Sequence, residues 1–172
     1  LWCTSPPKDS RMIVMQDVLY TILNTGLRRD EAVNLLWNDW DNDMLTVRGT
    51  KTANAFRKIP LVPEVIDIFE RRRKTAKSIW IFESFRHHKL TPSVILRCIH
   101  NFNGHRVHDL RHTFATRCIK AGIDAKTLSE ILGHADVETT MRLYVHPTDD
   151  SKRDAIKKLA KITTISTAVT NA

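Results

Sequence analysis

Apolar residues recur at helical spacing along most of the chain and alternate with polar ones in only one short part. Over residues 11–24, Val14, Val18 and Ile22 fall at i, i+4 and i+8 beside Leu19 and Leu23, predicting a helix that stops at Asn24-Thr25-Gly26. A second helix is expected from Asp30, a capping residue type, through Val33, Leu36 and Trp37, with Glu31 suited to its positive first turn. Arg28 sits at the joint between the two. The stretch WNDWDND (37–43) reads as a turn-rich link, after which MLTVRG (44–49) alternates apolar and polar positions and AFRKIPL (55–61) follows. That pair predicts a β-hairpin with Lys51 near its turn.

Beyond the hairpin, Pro63 opens a helix with Val62, Val65, Ile66 and Phe69 on one stripe, and the basic run 71–74 closes it as a solvated end. Thr91-Pro92 caps another, with Ile95, Cys98, Ile99 and Phe102 apolar as far as Asn103-Gly104. Three helices then follow closely. The first spans 107–121 and stops at Gly122; the second runs from Asp124 to Gly133 with Leu128, Ile131 and Leu132 inward; the third opens at Asp136, must end before Pro147, and carries Tyr144 in its last turn. A last helix over 151–160 is expected to bury Ala155, Ile156 and Leu159, ahead of a Thr-rich, almost uncharged, β-prone tail at 161–172. About eight helices around one small antiparallel sheet make a mainly α (α+β) fold, in one domain of 172 residues.

Charge narrows the partner. Lys and Arg outnumber Asp and Glu by 27 to 19, a formal net charge of +8, which favours a polyanion. Cys3, Cys98 and Cys118 are far apart and odd in number, so neither a disulfide framework nor a zinc knuckle is expected, and the cytoplasm is the expected compartment. No apolar run nears the roughly 20 residues that span a bilayer, so no membrane role is expected. The chain begins Leu1-Trp2-Cys3 and is read as the C-terminal part of a longer one.

On the 107–121 helix, His108 and Arg111 are i, i+3 neighbours able to reach one anion. His112, at i+4 from His108, also fits a zinc-binding pair, but the spacing offers no HExxH-type partner and no cysteine ligand set. Taken singly, these residues read as ordinary helix surface, and LGH (132–134) as a helix stop with an incidental histidine. Taken with Arg28, Lys51 and Tyr144, they read as a set. Arg86, His87, His88 and Lys89 form a basic loop read first as simply exposed and, as the alternative, as a contact to phosphate backbone.

Here the sequence resembles the tyrosine recombinases, the family of phage-type integrases. The resemblance covers about residues 11–160 and is carried by TGLRRDEAVNLLW (25–37), GTKTANAFRKIPL (49–61), HDLRHTFAT (108–116), LGH (132–134) and TTMRLYVHP (139–147). It implies a catalytic domain with Arg28, Lys51, His108, Arg111, His134 and Tyr144 as its active site, Arg28 being preferred to its neighbour Arg29. It further implies metal-independent cleavage and rejoining of double-stranded DNA through a 3′-phosphotyrosine, without cofactor, in a homotetramer that passes through a Holliday junction. The family's N-terminal core-binding domain is expected to lie outside this sequence, and the tail at 161–172 is read either as a frayed terminus or as an exchanged arm. The alternatives are a catalytically silent DNA-binding regulator of the same fold and a metal-dependent nuclease, which lacks a carboxylate cluster suited to magnesium.

Overall fold

The computed structural model describes the backbone of residues 10–49, 56–100 and 106–144 with 153, 156 and 157, and the side chains of these except 10, 11, 97–100 and 144. Helix α1 (Ser10–Thr25) buries Met15, Val18, Leu19 and Ile22, the face expected from their spacing. Its buried Thr21 and Thr25 hydroxyls donate to the carbonyls of Asp17 and Thr21, at 2.8 and 2.6 Å, so neither is left unpaired inside. The helix stops at Gly26, at φ +67°, where a Cβ would stand 2.5 Å from Phe114 Cδ1 and 2.8 Å from Leu132 Cδ2. Two helices from the far end of the sequence close over this turn because no side chain is there.

The second helix is much shorter than its apolar spacing suggests. α2 (Arg29–Val33) starts from Arg28, and the chain then leaves helical geometry to bond a distant segment. The Leu35 carbonyl accepts from Ile81 N–H, and the Trp37 N–H donates to the Ile79 carbonyl, both at 3.0 Å. Tertiary pairing with residues 79–81 therefore overrides the local helix pattern over 34–37. The stretch read as a link also has structure, a 3-10 turn (Trp37–Asp39) and a short strand β1 (Trp40–Asp41). Strands β2 (Met44–Val47) and β3 (Arg57–Pro60) form the expected hairpin, and β1 extends it to a three-stranded antiparallel sheet in the order β1-β2-β3. Leu45 pairs with Ile59 and Val47 with Arg57, and all four are buried.

Helix α3 (Pro63–Arg73) buries Val65 and Phe69, the latter edge-on to the rings of Trp40 and Phe82. Its basic end is solvated at Arg71, Arg73 and Lys74, as the sequence suggested, and half-buried at Arg72. Arg71 and Arg72 both reach the buried carboxylate of Asp17 on α1, at 2.7 and 3.2 Å, while Arg72 also donates to the Ile81 carbonyl and lies over the Phe82 ring. Arg73 lies over Trp37, with its guanidinium carbon 4.9 Å from the ring centroid. The buried Asp17 carboxylate draws Arg72 inward and takes the tip of the exposed Arg71, because a buried carboxylate must be paired.

Helix α4 (Pro92–His100) buries Ile95, and the continuation expected to Gly104 lies outside the described residues. Helix α5 (Val107–Lys120) joins two apolar clusters: Val107 belongs to the larger one around α1 and the sheet, Ala115 and Cys118 to a smaller one with Leu128 and Leu132. Helices α6 (Ala125–Leu132) and α7 (Val137–Met141) are capped by Asp124 and Asp136, whose carboxylates accept from Thr127 and Glu138 N–H. A 3-10 turn (Arg142–Tyr144) follows α7. Ile156, expected to be buried in the last helix, is 66% exposed, since no described residue covers that face. Among the described residues no helix is long and apolar enough to cross a membrane, and Cys118 is buried and free.

Candidate active site

The C-terminus of α6 is the centre of the site. Gly133, at φ +65°, ends the helix in a Schellman turn, with Gly133 N–H donating to the Glu130 carbonyl and His134 N–H to the Ser129 carbonyl, each at 3.1 Å. The helix stop read at LGH is thus present, and the turn that makes it carries His134. The turn leaves three consecutive carbonyls without helical donors, and three arginines from elsewhere in the chain take them. Arg57 Nε donates to the Ile131 carbonyl at 2.6 Å, Arg111 Nη2 to that of Leu132 at 2.6 Å, and Arg28 Nη2 to that of Gly133 at 2.8 Å. A helix C-terminus carries partial negative charge, so it can collect guanidinium groups that would otherwise repel one another.

Each arginine is held by its own element. Arg111 on α5 is 4% exposed and also donates from Nη1 to the Gly26 carbonyl at 2.5 Å, locking it between the α1 turn and the α6 turn. Burial, and after it the charge of Arg28, lowers its pKa to about 9, which leaves it charged at neutral pH. Arg28, at the start of α2, keeps 43% of its side chain exposed while Nη1 donates to Glu31 Oε1 at 2.8 Å. Its neighbour Arg29 turns away to pair with Asp30. Burial alone would raise the pKa of the 8%-exposed Glu31, but its hydrogen bonds and charge pairing with Arg57, then with Arg28, bring it down to about 2.

The histidines respond to this positive field. His134 Nδ1 lies 2.8 Å from Oγ1 of the fully buried Thr140 on α7. Burial, then the charges of Arg111, Arg28 and Arg57, push its pKa down to about 4, so it is neutral at pH 7. His108 shares the α5 face that leads to Arg111, and its ring meets that of His112 edge-on with centroids 4.4 Å apart. Lost hydration, then His112 and Arg111, lower its pKa as well, which favours an imidazole able to accept a proton. Among the described residues no group of three or more His, Cys, Asp or Glu could hold a metal ion, so the His108–His112 pair has no further ligand there.

Four of the six residues expected at the site are therefore joined by contacts or by their mutual electrostatics: Arg28, His108, Arg111 and His134. The backbone of Tyr144 closes the 3-10 turn that follows α7, ten positions after His134, and its side chain lies outside the described residues. Lys51 lies outside them too. Glu31, Arg57 and Thr140 were not anticipated. For Arg57 a signal existed, since strand alternation puts it in phase with the inward Ile59, a position where a charge needs a buried partner.

Over residues 4–151 the chain matches the sequence profile of the phage integrase family. The chain belongs to that family. Among members of the phage integrase family, it is 34% identical over 167 residues to tyrosine recombinase XerA of Pyrococcus furiosus, covering 88% of this chain and 56% of that protein. It is 31% identical over 163 residues to tyrosine recombinase XerD of Chlamydia pneumoniae, covering 84% and 52%. The chain thus spans about half the length of the curated relatives it matches. Its fold superposes on the Tn1549 transposon integrase in complex with circular intermediate DNA with a TM-score of 0.71 at 25% identity, over 88% of this chain and 62% of that one. It also superposes on the XerA recombinase with a TM-score of 0.68 at 24% identity, over 91% and 65%, a likeness of fold.

Proposed function

We propose that this chain carries the strand-transfer centre of a site-specific DNA recombinase, acting on double-stranded DNA without a metal or other cofactor. The observation that carries the reading is the convergence of Arg28 and Arg111 on adjacent carbonyls of the turn that bears His134. Attack on a phosphodiester concentrates negative charge on its non-bridging oxygens, and guanidinium groups fixed in advance meet that charge without reorganising. Arg28, the more open of the two, would grip the scissile phosphate, with Arg111 held rigid behind it.

In this reading Tyr144 Oη attacks phosphorus, and the Tyr O–P bond forms as the bond to the 5′ oxygen breaks. The phenolic proton passes to His108, whose lowered pKa keeps it a neutral acceptor. The departing 5′ oxygen takes a proton from Lys51, and His134 donates a hydrogen bond to a non-bridging oxygen. For that bond Nε2 must carry the hydrogen, which requires the Thr140 hydroxyl to donate to Nδ1. The product is a 3′-phosphotyrosyl linkage and a free 5′ hydroxyl, so rejoining is the same step reversed and needs no nucleotide. Four such subunits on paired sites would exchange strands through a Holliday junction in the service of a mobile element, and binding should weaken steeply with salt.

The test is incubation in EDTA with a duplex nicked so that the cleaved 5′ end diffuses away. A covalent protein–DNA species supports the reading. DNA binding without any such species at long times contradicts it and favours a silent binding protein.

A further inference from the structure

We propose that Arg57 is a positioning residue of this centre: it fastens the carboxylate partner of Arg28 to the α6 turn and thereby fixes where Arg28 and His134 stand, an inference that rests on the recombinase reading above. Three of its nitrogens are committed. Nε donates to the Ile131 carbonyl at 2.6 Å, and Nη1 and Nη2 form a fork on the two carboxylate oxygens of Glu31 at 3.0 and 2.8 Å. Glu31 in turn takes the Arg28 side chain on Oε1 and the Arg28 backbone N–H on Oε2, both at 2.8 Å. The circuit closes where Arg28 Nη2 reaches the Gly133 carbonyl, two residues beyond Ile131. Arg28 therefore cannot shift relative to the histidine turn without breaking a bond to Glu31 or to Gly133.

A purely structural role explains this arrangement poorly. Arg57 is 8% exposed at an inward strand position beside Ile59, where an aliphatic side chain would pack at no desolvation cost. Replacing a buried ion pair by apolar residues is often neutral or stabilising, so stability alone gives no reason to place one here. The turn is also shaped around it: a Cβ on Gly133 would lie 2.7 Å from Arg57 Nη1 and 3.0 Å from Cζ, so the glycine before His134 makes room for this guanidinium. A lysine, with one nitrogen, cannot span Ile131 and both oxygens of Glu31.

The experiment measures single-turnover covalent adduct formation by the full polypeptide on the nicked duplex, normalised to folded, DNA-bound protein. Arg57→Lys is expected to slow the step by about tenfold or more while DNA affinity stays within about threefold. In an Arg28→Lys background, the same change is expected to cost less than about threefold, because a residue acting through Arg28 has little left to position. The paired variant Glu31→Gln/Arg57→Met, which removes both charges together, guards against misfolding and should also fold and cleave slowly. A wild-type rate in either folded variant, or a full multiplicative loss in the Arg28→Lys background, overturns the proposal. Absence of adduct from the unsubstituted protein instead overturns the recombinase reading, so the two failures are distinguishable.

Discussion

His134 and Thr140 are joined across the turn between α6 and α7 by a 2.8 Å contact from Nδ1 to a hydroxyl with no solvent exposure. The contact settles which imidazole nitrogen is free to face a ligand and ties the segment leading to Tyr144 to the histidine. Thr140→Val keeps the shape and removes the hydroxyl. Adduct formation should fall by about tenfold, as is usual when the group orienting an imidazole is lost, with little change in DNA affinity. An unchanged rate would show that the contact does not orient the ring for the reaction.

The titration of His134 follows from its surroundings. In the free protein, an NMR titration should place it near 4 rather than 6.5, because burial and then three arginines oppose its protonation. An unfolded chain binds this proton from pH 6.5 downward and the folded one only near 4, so the residue lowers stability as pH falls through that window. A bound anion cancels part of the positive field and raises the value. Sulfate should therefore bind more tightly at pH 5 than at pH 7 and shift the His134 resonance; a His134 that titrates at 6.5 with or without sulfate would contradict this.

Glu31 shifts in the same direction as His134, downward, and with the same consequence for stability. Its pKa lies at about 2 in the folded chain against 4.5 ordinarily, so its contribution is complete above 4.5 and disappears as pH falls through 2. Glu31→Gln leaves Arg57 buried with a neutral partner and should cost about 3 kcal/mol at pH 7, the usual size for breaking a buried pair. The cost should shrink toward pH 2. Thermal unfolding of both proteins across pH 2–7 checks it, and equal melting temperatures at pH 7 would refute it.

Gly26 carries two burdens, a positive φ and contact with Phe114 and Leu132. Gly26→Ala should destabilise by about 2 kcal/mol or more, summing a left-handed penalty of roughly 1 kcal/mol with overpacking of at least similar size. Because its carbonyl also holds Arg111, cleavage should fall even where the protein stays folded. Denaturant unfolding and the adduct assay together test both halves.

Much of the fold can be read along the chain, because α1, α3 and α6 each present an apolar stripe, and α1, α5 and α6 each stop at a glycine. What cannot be read there is decided by distant partners. Residues 34–37 look helical until Ile79 and Ile81 supply hydrogen bonds, and Arg72 looks solvated until Asp17 and the ring of Phe82 are in place. At the site, the motifs point to Arg28, Arg111 and His134. Glu31 and Thr140 contact Arg28 and His134, and the partners of Arg57 lie 26 and 74 positions away, where no local pattern announces them.

The central claim is that one cluster of arginines and histidines serves a single tyrosine nucleophile. Proteolysis of the covalent protein–DNA species and mass spectrometry of the DNA-bound peptide test it most directly. The account predicts a nucleotide attached through its 3′ phosphate to Tyr144, absent from Tyr144→Phe and retained in Tyr20→Phe. Attachment to another residue, or an adduct that survives in Tyr144→Phe, would contradict it.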